Sequence, residues 1–306
     1  MIRKLFTVLL SAMFLLSSMG MAFAEVPNTA EGKLAAIEIT LYGQEQTGPL
    51  AERIKRVEEE YEGADSSSSM MNRINYLYNY TYDNSATPSL VTQMNALEWA
   101  ISHQISAEAM VKRVAMMEGI IQGKPSEGTL HSRIEALAKF AFGTAEIPLT
   151  QVEVPMNTLA RISLLSPINA KNLKVGDVIK YQASEDVIED NMLIFAKGAY
   201  GEGVITKVEQ AGNFGRDAKV DAEFKTLTAV DATVMDMNLG QEAQEQMKNM
   251  AMAAGASIAG MVLLGPIGII GGAFVHGKNI DLPEGTEFYI QTSRDTVIYG
   301  IPVTAE

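Results

Sequence analysis

The chain has 306 residues, 47% of them hydrophobic, and carries 37 acidic against 24 basic side chains for a formal charge of −13. Nucleic acids and anionic lipid surfaces are bound through positive charge, so neither is an expected partner. There is no cysteine, which removes disulfide frameworks, thiolate metal sites and thiol nucleophiles.

The first predicted element is a targeting segment. Arg3 and Lys4 precede an apolar core over residues 5–16, and Ala22-Phe23-Ala24 places small residues before Glu25. This is the layout of a secretory signal peptide, so residues 1–24 are set aside and the remainder is expected to be exported. The segment holds two basic and no acidic residues, which leaves 22 basic against 37 acidic and a charge of −15. The remaining length allows one or two domains.

Residues 25–143 contain an internal repeat. Residues 34–63 align without a gap on residues 114–143, pairing Glu38 with Glu118, Gly43 with Gly123, Gly48 with Gly128, Arg53-Ile54 with Arg133-Ile134 and Gly63 with Gly143. Halving that offset places a degenerate copy between them, giving three units of about 40 residues. Apolar positions within each follow helical spacing, as in Leu50, Ile54, Val57 and Tyr61. Glycines at 43 and 48 supply a helix stop and a turn, so each unit reads as a helix hairpin. Hairpins that cannot bury an apolar face alone stack into an array or a compact bundle. Arg53 and Arg133 precede core positions and read as a recognition stripe or, preferably, as surface charges that fix register.

The middle unit differs by its aromatics. Tyr76, Tyr78, Tyr80 and Tyr82 alternate, which would put them on one side of a strand but scatter them around a helix. With Trp99 they are a candidate aromatic surface for a glycan or peptide, set against plain packing between helices.

Residues 144–150 read as a linker, because Pro148 follows and helical periodicity stops. From 151 to 306 the pattern is short strands between turn signals, predicted at 158–164, 177–183, 192–195, 203–209, 219–224, 228–235, 279–282 and 287–299. Their spacing predicts a small antiparallel barrel or sandwich.

Residues 241–277 form an insert in this β-domain. Residues 249–277 contain no Asp, Glu, Lys or Arg, and Gly265-Pro266 breaks the run near its middle. Small residues recur at four-residue intervals, with Ala251, Gly255 and Ala259 on one ridge, Ala256 and Gly260 on a second, and Gly268 and Gly272 on a third. Such ridges, in the manner of a glycine zipper, let helix backbones approach closely. If the flanking strands share one sheet, the chain must return to the side it left and a single span is excluded. A helical hairpin remains. It would dip into lipid, pair with another copy or pack on its own sheet.

Searches for chemistry return little. The three histidines, His103, His131 and His276, lack metal-ligand spacing. No Gly-x-Ser-x-Gly, phosphate loop or dinucleotide fingerprint occurs, so neither an enzyme nor a cofactor or metal is expected. Glu185, Asp186, Glu189 and Asp190 read as a solvated hairpin turn in preference to a calcium site.

The succession LKVGDVIKYQASEDV, then MLIFAKGAYGEGVITKVEQ, then the glycine-rich insert, then KNIDLPEGTEFYIQT resembles a small β-domain of exported bacterial proteins. The LYG-x4-GPLxxRI units are similar to repeats in envelope proteins of such bacteria. A further likeness, resting on Lys197-Gly198, the strand order and the insert position, is to the β-barrel of the outer-membrane-complex component of type IV secretion systems. These resemblances imply a cell-envelope location and bring no catalytic residues. The expectation is an exported α+β protein with a non-catalytic structural or interaction role. It would sit in the periplasm or envelope, associated with a membrane or with copies of itself. The competing expectation is a soluble periplasmic ligand- or glycan-binding module. A cell-wall hydrolase is a distant third.

Overall fold

A computed structural model describes residues 27–61, 67–210, 218–253, 273–277 and 280–303. They divide between Leu149 and Thr150 into two compact units, each with its own hydrophobic core. The expected signal segment, residues 1–24, lies outside the described residues. The class is α+β.

Among the described residues the first unit has six helices: α1 Ala30–Tyr42, α2 Leu50–Tyr61, α3 Met70–Tyr82, α4 Leu90–Ser102, α5 Met110–Gln122 and α6 Leu130–Phe142. Their first residues are spaced by 20, so the expected helix hairpins contain a finer repeat of one helix and one turn. The cause is a recurring set of end signals. Thr29, Ser69, Ser89 and Thr129 each accept a backbone N–H of the first turn through the side-chain oxygen, which satisfies a donor that the helix itself leaves open. Gly43, Gly123 and Gly143 close helices in the left-handed region, where a Cβ is disfavoured. His103 takes the same role with φ 52°.

Between the caps, each helix sends a residue inward at two fixed positions. Leu34, Ile54, Ile74, Met94, Val114 and Ile134 occupy one, and Ile37, Val57, Leu77, Leu97, Met117 and Leu137 the other. All twelve are buried in a single core. Burial of such a side chain contributes about 1.5–3 kcal/mol. Helices α1, α2 and α3 pack on one another, as do α4, α5 and α6, and the two trios meet through α3–α4, α1–α5 and α2–α6. The array is therefore a compact bundle, one of the two arrangements open from sequence.

The second unit is built from thirteen strands among the described residues: β1 Thr150–Val154, β2 Leu159–Leu164, β3 Ile168–Asn169, β4 Val178–Ala183, β5 Val187–Glu189, β6 Met192–Phe195, β7 Tyr200–Glu209, β8 Ala218–Thr228, β9 Val234–Asn238, β10 Ala273–Gly277, β11 Asp281–Leu282, β12 Glu287–Thr292 and β13 Thr296–Pro302. Burial alternates along β2 and β4, as expected of strands with one face on a core. In the order β8-β7-β4-β2-β12-β9 the sheet returns to β8 and closes as a six-stranded antiparallel barrel, which removes the exposed edges of an open sheet. A Cβ on Gly201 would overlap the Tyr181 ring. Its absence lets that ring lie across β7, where the Tyr181 hydroxyl donates to Thr226 O at 2.7 Å. Bulges in the β7–β8 pairing bend the long hairpin.

A four-stranded sheet, β1-β13-β6-β5, completes the unit with the β11–β3 pair. The acidic segment expected as a turn is a hairpin: β5 and β6 meet around Asp190 and Asn191, both with positive φ, as a tight primed turn requires. The strand expected over 287–299 is broken at 293–295, and that expected over 228–235 runs from the last residue of β8 across a turn at 229–233 into β9. Asp231 in that turn is buried and accepts N–H groups of Thr233 and Tyr299, tying the barrel to β13.

Candidate functional site

The feature with the clearest functional meaning in the sequence is the insert, and the described residues fix how it is mounted. Helix α7, Gln241–Ala253, follows β9 directly and packs on β12. The residue before it, Gly240, has no side chain to cap the helix. The cap comes from the barrel: the Ala243 N–H donates to Gln291 Oε1 at 3.0 Å, and Gln291 Nε2 donates to Asn157 Oδ1 at 2.5 Å. Gln291 lies on β12, between Leu159 of β2 and Asn238 of β9, and is buried. A Cβ on Gly240 would overlap the Gln291 amide, so glycine is required for this approach. Ala243 joins the barrel core and Met247, one turn later, packs against it. The outward positions Glu242, Glu245 and Lys248 are exposed.

The chain re-enters as β10. Ala273 pairs with Ala222 and Gly277 with Ala218, on the edge of β8 that carries β9 further along, at Thr226–Thr228. The last five residues of the insert are thus a strand, favoured by Phe274 and Val275 and by the open edge of β8. Both ends of the insert root in one barrel, which meets the condition that excludes a single membrane crossing. Among the described residues, no helix is long and apolar enough to cross a membrane. Of the small residues singled out, Ala251 lies on α7. Gly255, Ala256, Ala259, Gly260, Gly265, Pro266, Gly268 and Gly272 lie outside the described residues.

The aromatic candidates fall on helices. Tyr76 and Tyr80 stack with centroids 6.3 Å apart, and Tyr78 and Tyr82 meet at 4.8 Å on a different stripe of α3. Tyr76 is 57% exposed. Tyr82 donates to Ala36 O and contacts the Thr40 hydroxyl, and burial pushes its phenol up to about 12. Trp99, on α4, is buried and meets the His103 ring edge-on. The five side chains are thus spread over two helices and at least two helix faces.

Sequence reasoning put Arg53 and Arg133 on the surface, whereas Arg53 is buried and Arg133 half-buried, as are Arg113 and Arg73 respectively. Arg53 forms a two-point pair with Glu38, Arg73 with Glu58 and Arg133 with Glu118, while Arg113 binds Glu98 and Asn95. Each glutamate lies 15 residues before its arginine. Three of them also accept a backbone N–H eight residues on, from Gln46, Ser106 and Ser126. The Glu-x14-Arg spacing repeated every 20 residues is the signal that would have found them. At the third step Tyr78 and Gln93 replace the pair, and Lys33 lies over the Tyr78 ring at 5.2 Å and donates to Asn75. Around Glu118 burial pushes the carboxyl up, but the hydrogen bonds of Arg133 and Ser126 outweigh it and hold the group below the usual range.

Among the described residues, no group of three or more His, Asp or Glu is placed to hold a metal ion.

No protein-family profile matches the chain, and no curated protein sequence does. Comparison with solved structures returns ComB10 of the Com type IV secretion system of Helicobacter pylori. That likeness has 10% identity, covers 50% of this chain and 93% of that one, and has a TM-score of 0.26. A likeness of this size fixes neither fold nor function.

Proposed function

We propose that this is a non-catalytic protein of the bacterial cell envelope that associates through the segment between α7 and β10. The observation that carries the reading is that both ends of a 19-residue stretch without charge, residues 254–272, are rooted in one closed barrel. A closed barrel whose chain carries so apolar a stretch between two anchored ends is suited to association. The signal-peptide layout supports export. Eleven residues precede Gly265-Pro266 and six follow it. As helices they would reach roughly 16 and 9 Å, against about 30 Å of hydrocarbon. The segment is therefore suited to one leaflet, or to the same segment of a second copy, with small residues permitting close contact. The test replaces residues 254–272 with a Gly/Ser linker of equal length and compares membrane fractionation of the full chain. The wild type should sediment with membranes and the replacement should stay soluble. Equal solubility of both would overturn the reading.

A soluble periplasmic binding module is the second reading, favoured by the exposed Tyr76 ring stacked on Tyr80. Loss of glycan retention on substituting Tyr76→Ala, with the fold unchanged, would support it.

A further inference from the structure

Three features of the mount converge on Gln291. Its Oε1 is the acceptor for the Ala243 N–H in the first turn of α7, its Nε2 donates to Asn157 at the entrance to β2, and Gly240 packs against its amide so closely that no Cβ fits. The residue is buried on β12, between two other barrel strands. Beyond this contact α7 is held by Ala243 and Met247, and the remaining side chains described on it are exposed or partly so. An amphipathic helix of 13 residues is marginal by itself in water. Its direction is therefore set by the clasp at its start.

We propose that Gln291 is the positioning residue of the insert: its amide clasps the start of α7 to the barrel and so sets the direction in which α7 leaves it. This rests on the reading of the segment beyond α7 as the associating element. Asn157 belongs to the same device. Its φ of 71° lies in the left-handed region, a conformation that asparagine tolerates better than most residues, and there its side-chain oxygen meets Gln291. Gln291→Leu removes both hydrogen bonds while keeping an apolar side chain of similar length. Gln291→Glu keeps an acceptor for Ala243 but loses the Nε2–H donor and sets a carboxylate oxygen against Asn157 Oδ1, so it breaks only the Asn157 half of the clasp.

The experiment uses the full chain and has two readouts. Hydrogen exchange of the amides at 244–249 reports the clasp. Flotation with neutral phosphatidylcholine vesicles reports association. In Gln291→Leu the α7 amides should exchange about tenfold faster or more, with β2 and β12 amides unchanged, and the floated fraction should fall at least about threefold. Gln291→Glu should fall between the wild type and Gln291→Leu in both. Unchanged α7 protection in Gln291→Leu overturns the clasp. Loosened α7 with undiminished flotation overturns its positioning role. If Gln291→Leu also loosens β2 and β12, Gly240→Ala becomes the deciding variant. Its added Cβ displaces the Gln291 amide while leaving the sequence of β2 and β12 unchanged, and the same outcomes apply. A wild type that does not float overturns lipid association, while the exchange readout still decides the clasp.

Discussion

At the scale of single residues, the determining groups are charges that have left water with a partner. Glu38 is 0% exposed and receives Arg53 through two nitrogens, at 3.0 and 2.6 Å, together with the Gln46 N–H. Removing Glu38 leaves the buried Arg53 with only the half-exposed Glu45 carboxylate, at 3.1 Å, in direct contact. Glu38→Ala is therefore expected to destabilise the helical unit by about 3–5 kcal/mol, read by denaturant unfolding. A loss under 1 kcal/mol would mean that water solvates Arg53 in place of the carboxylate. The carboxyls also give the two units opposite responses to pH. Glu118 is held below its ordinary 4.5, so its contribution is complete above that value and is lost as pH falls towards the depressed folded one. Asp231 is raised from 3.8, chiefly by burial, so its contribution is complete below 3.8 and is lost as pH rises through the folded value. Glu118→Gln should flatten the acid limb of helical stability, and Asp231→Asn should flatten the decline of barrel stability above pH 4. Parallel pH curves for variant and wild type would refute either assignment.

At the scale of elements, the repeat is one pattern with one altered step. Lys33 stands where Arg53, Arg73, Arg113 and Arg133 stand in their helices, and Tyr78 stands where the paired glutamates stand. The contact of Lys33 with the Tyr78 ring therefore closes the α1–α2–α3 trio with a cation–π contact in place of an ion pair, worth about 0.5–1 kcal/mol at a half-exposed site. Tyr78→Glu should be tolerated when Lys33 is present and be more damaging by about 0.5–1 kcal/mol or more in a Lys33→Met background. A double-mutant cycle with no coupling would remove Lys33 from the pattern. Much of this was open to reading beforehand. The helical spacing of Ile54 and Val57, the glycine stops and the alternation along 159–164 follow from local chemistry, and those elements stand where the periodicity puts them. The burial of Arg53 was missed because a helix that ends on Gly43 brings Glu38 back to it from the preceding turn, which one helix considered alone does not reveal. The Gln291 clasp joins residues 48 and 134 positions apart, and no local pattern encodes such a meeting. The break at 293–295 was legible in the six consecutive polar residues from Gln291 to Thr296, which no two-residue alternation spans.

At the scale of the whole molecule, the two cores share no residue. One is made of helices of a 20-residue repeat, packed on near neighbours and, through α1–α5 and α2–α6, on helices 80 residues away. The other depends on strand pairs far apart in sequence, such as β2 with β12 and β1 with β13. A core lesion should therefore act on its own unit. Leu97, fully buried among the helices, becomes a cavity on substitution to alanine, at a cost of about 2–5 kcal/mol. Tyr181 is fully buried in the barrel, and no element of its sheet contributes to the helical core. Leu97→Ala should lower the unfolding midpoint followed by the helical signal while leaving the exchange protection of β4 and β7 amides unchanged. If those barrel amides lose protection in step with the helices, the units unfold as one cooperative body, and the lesion has reached the barrel through coupling that separate cores do not provide.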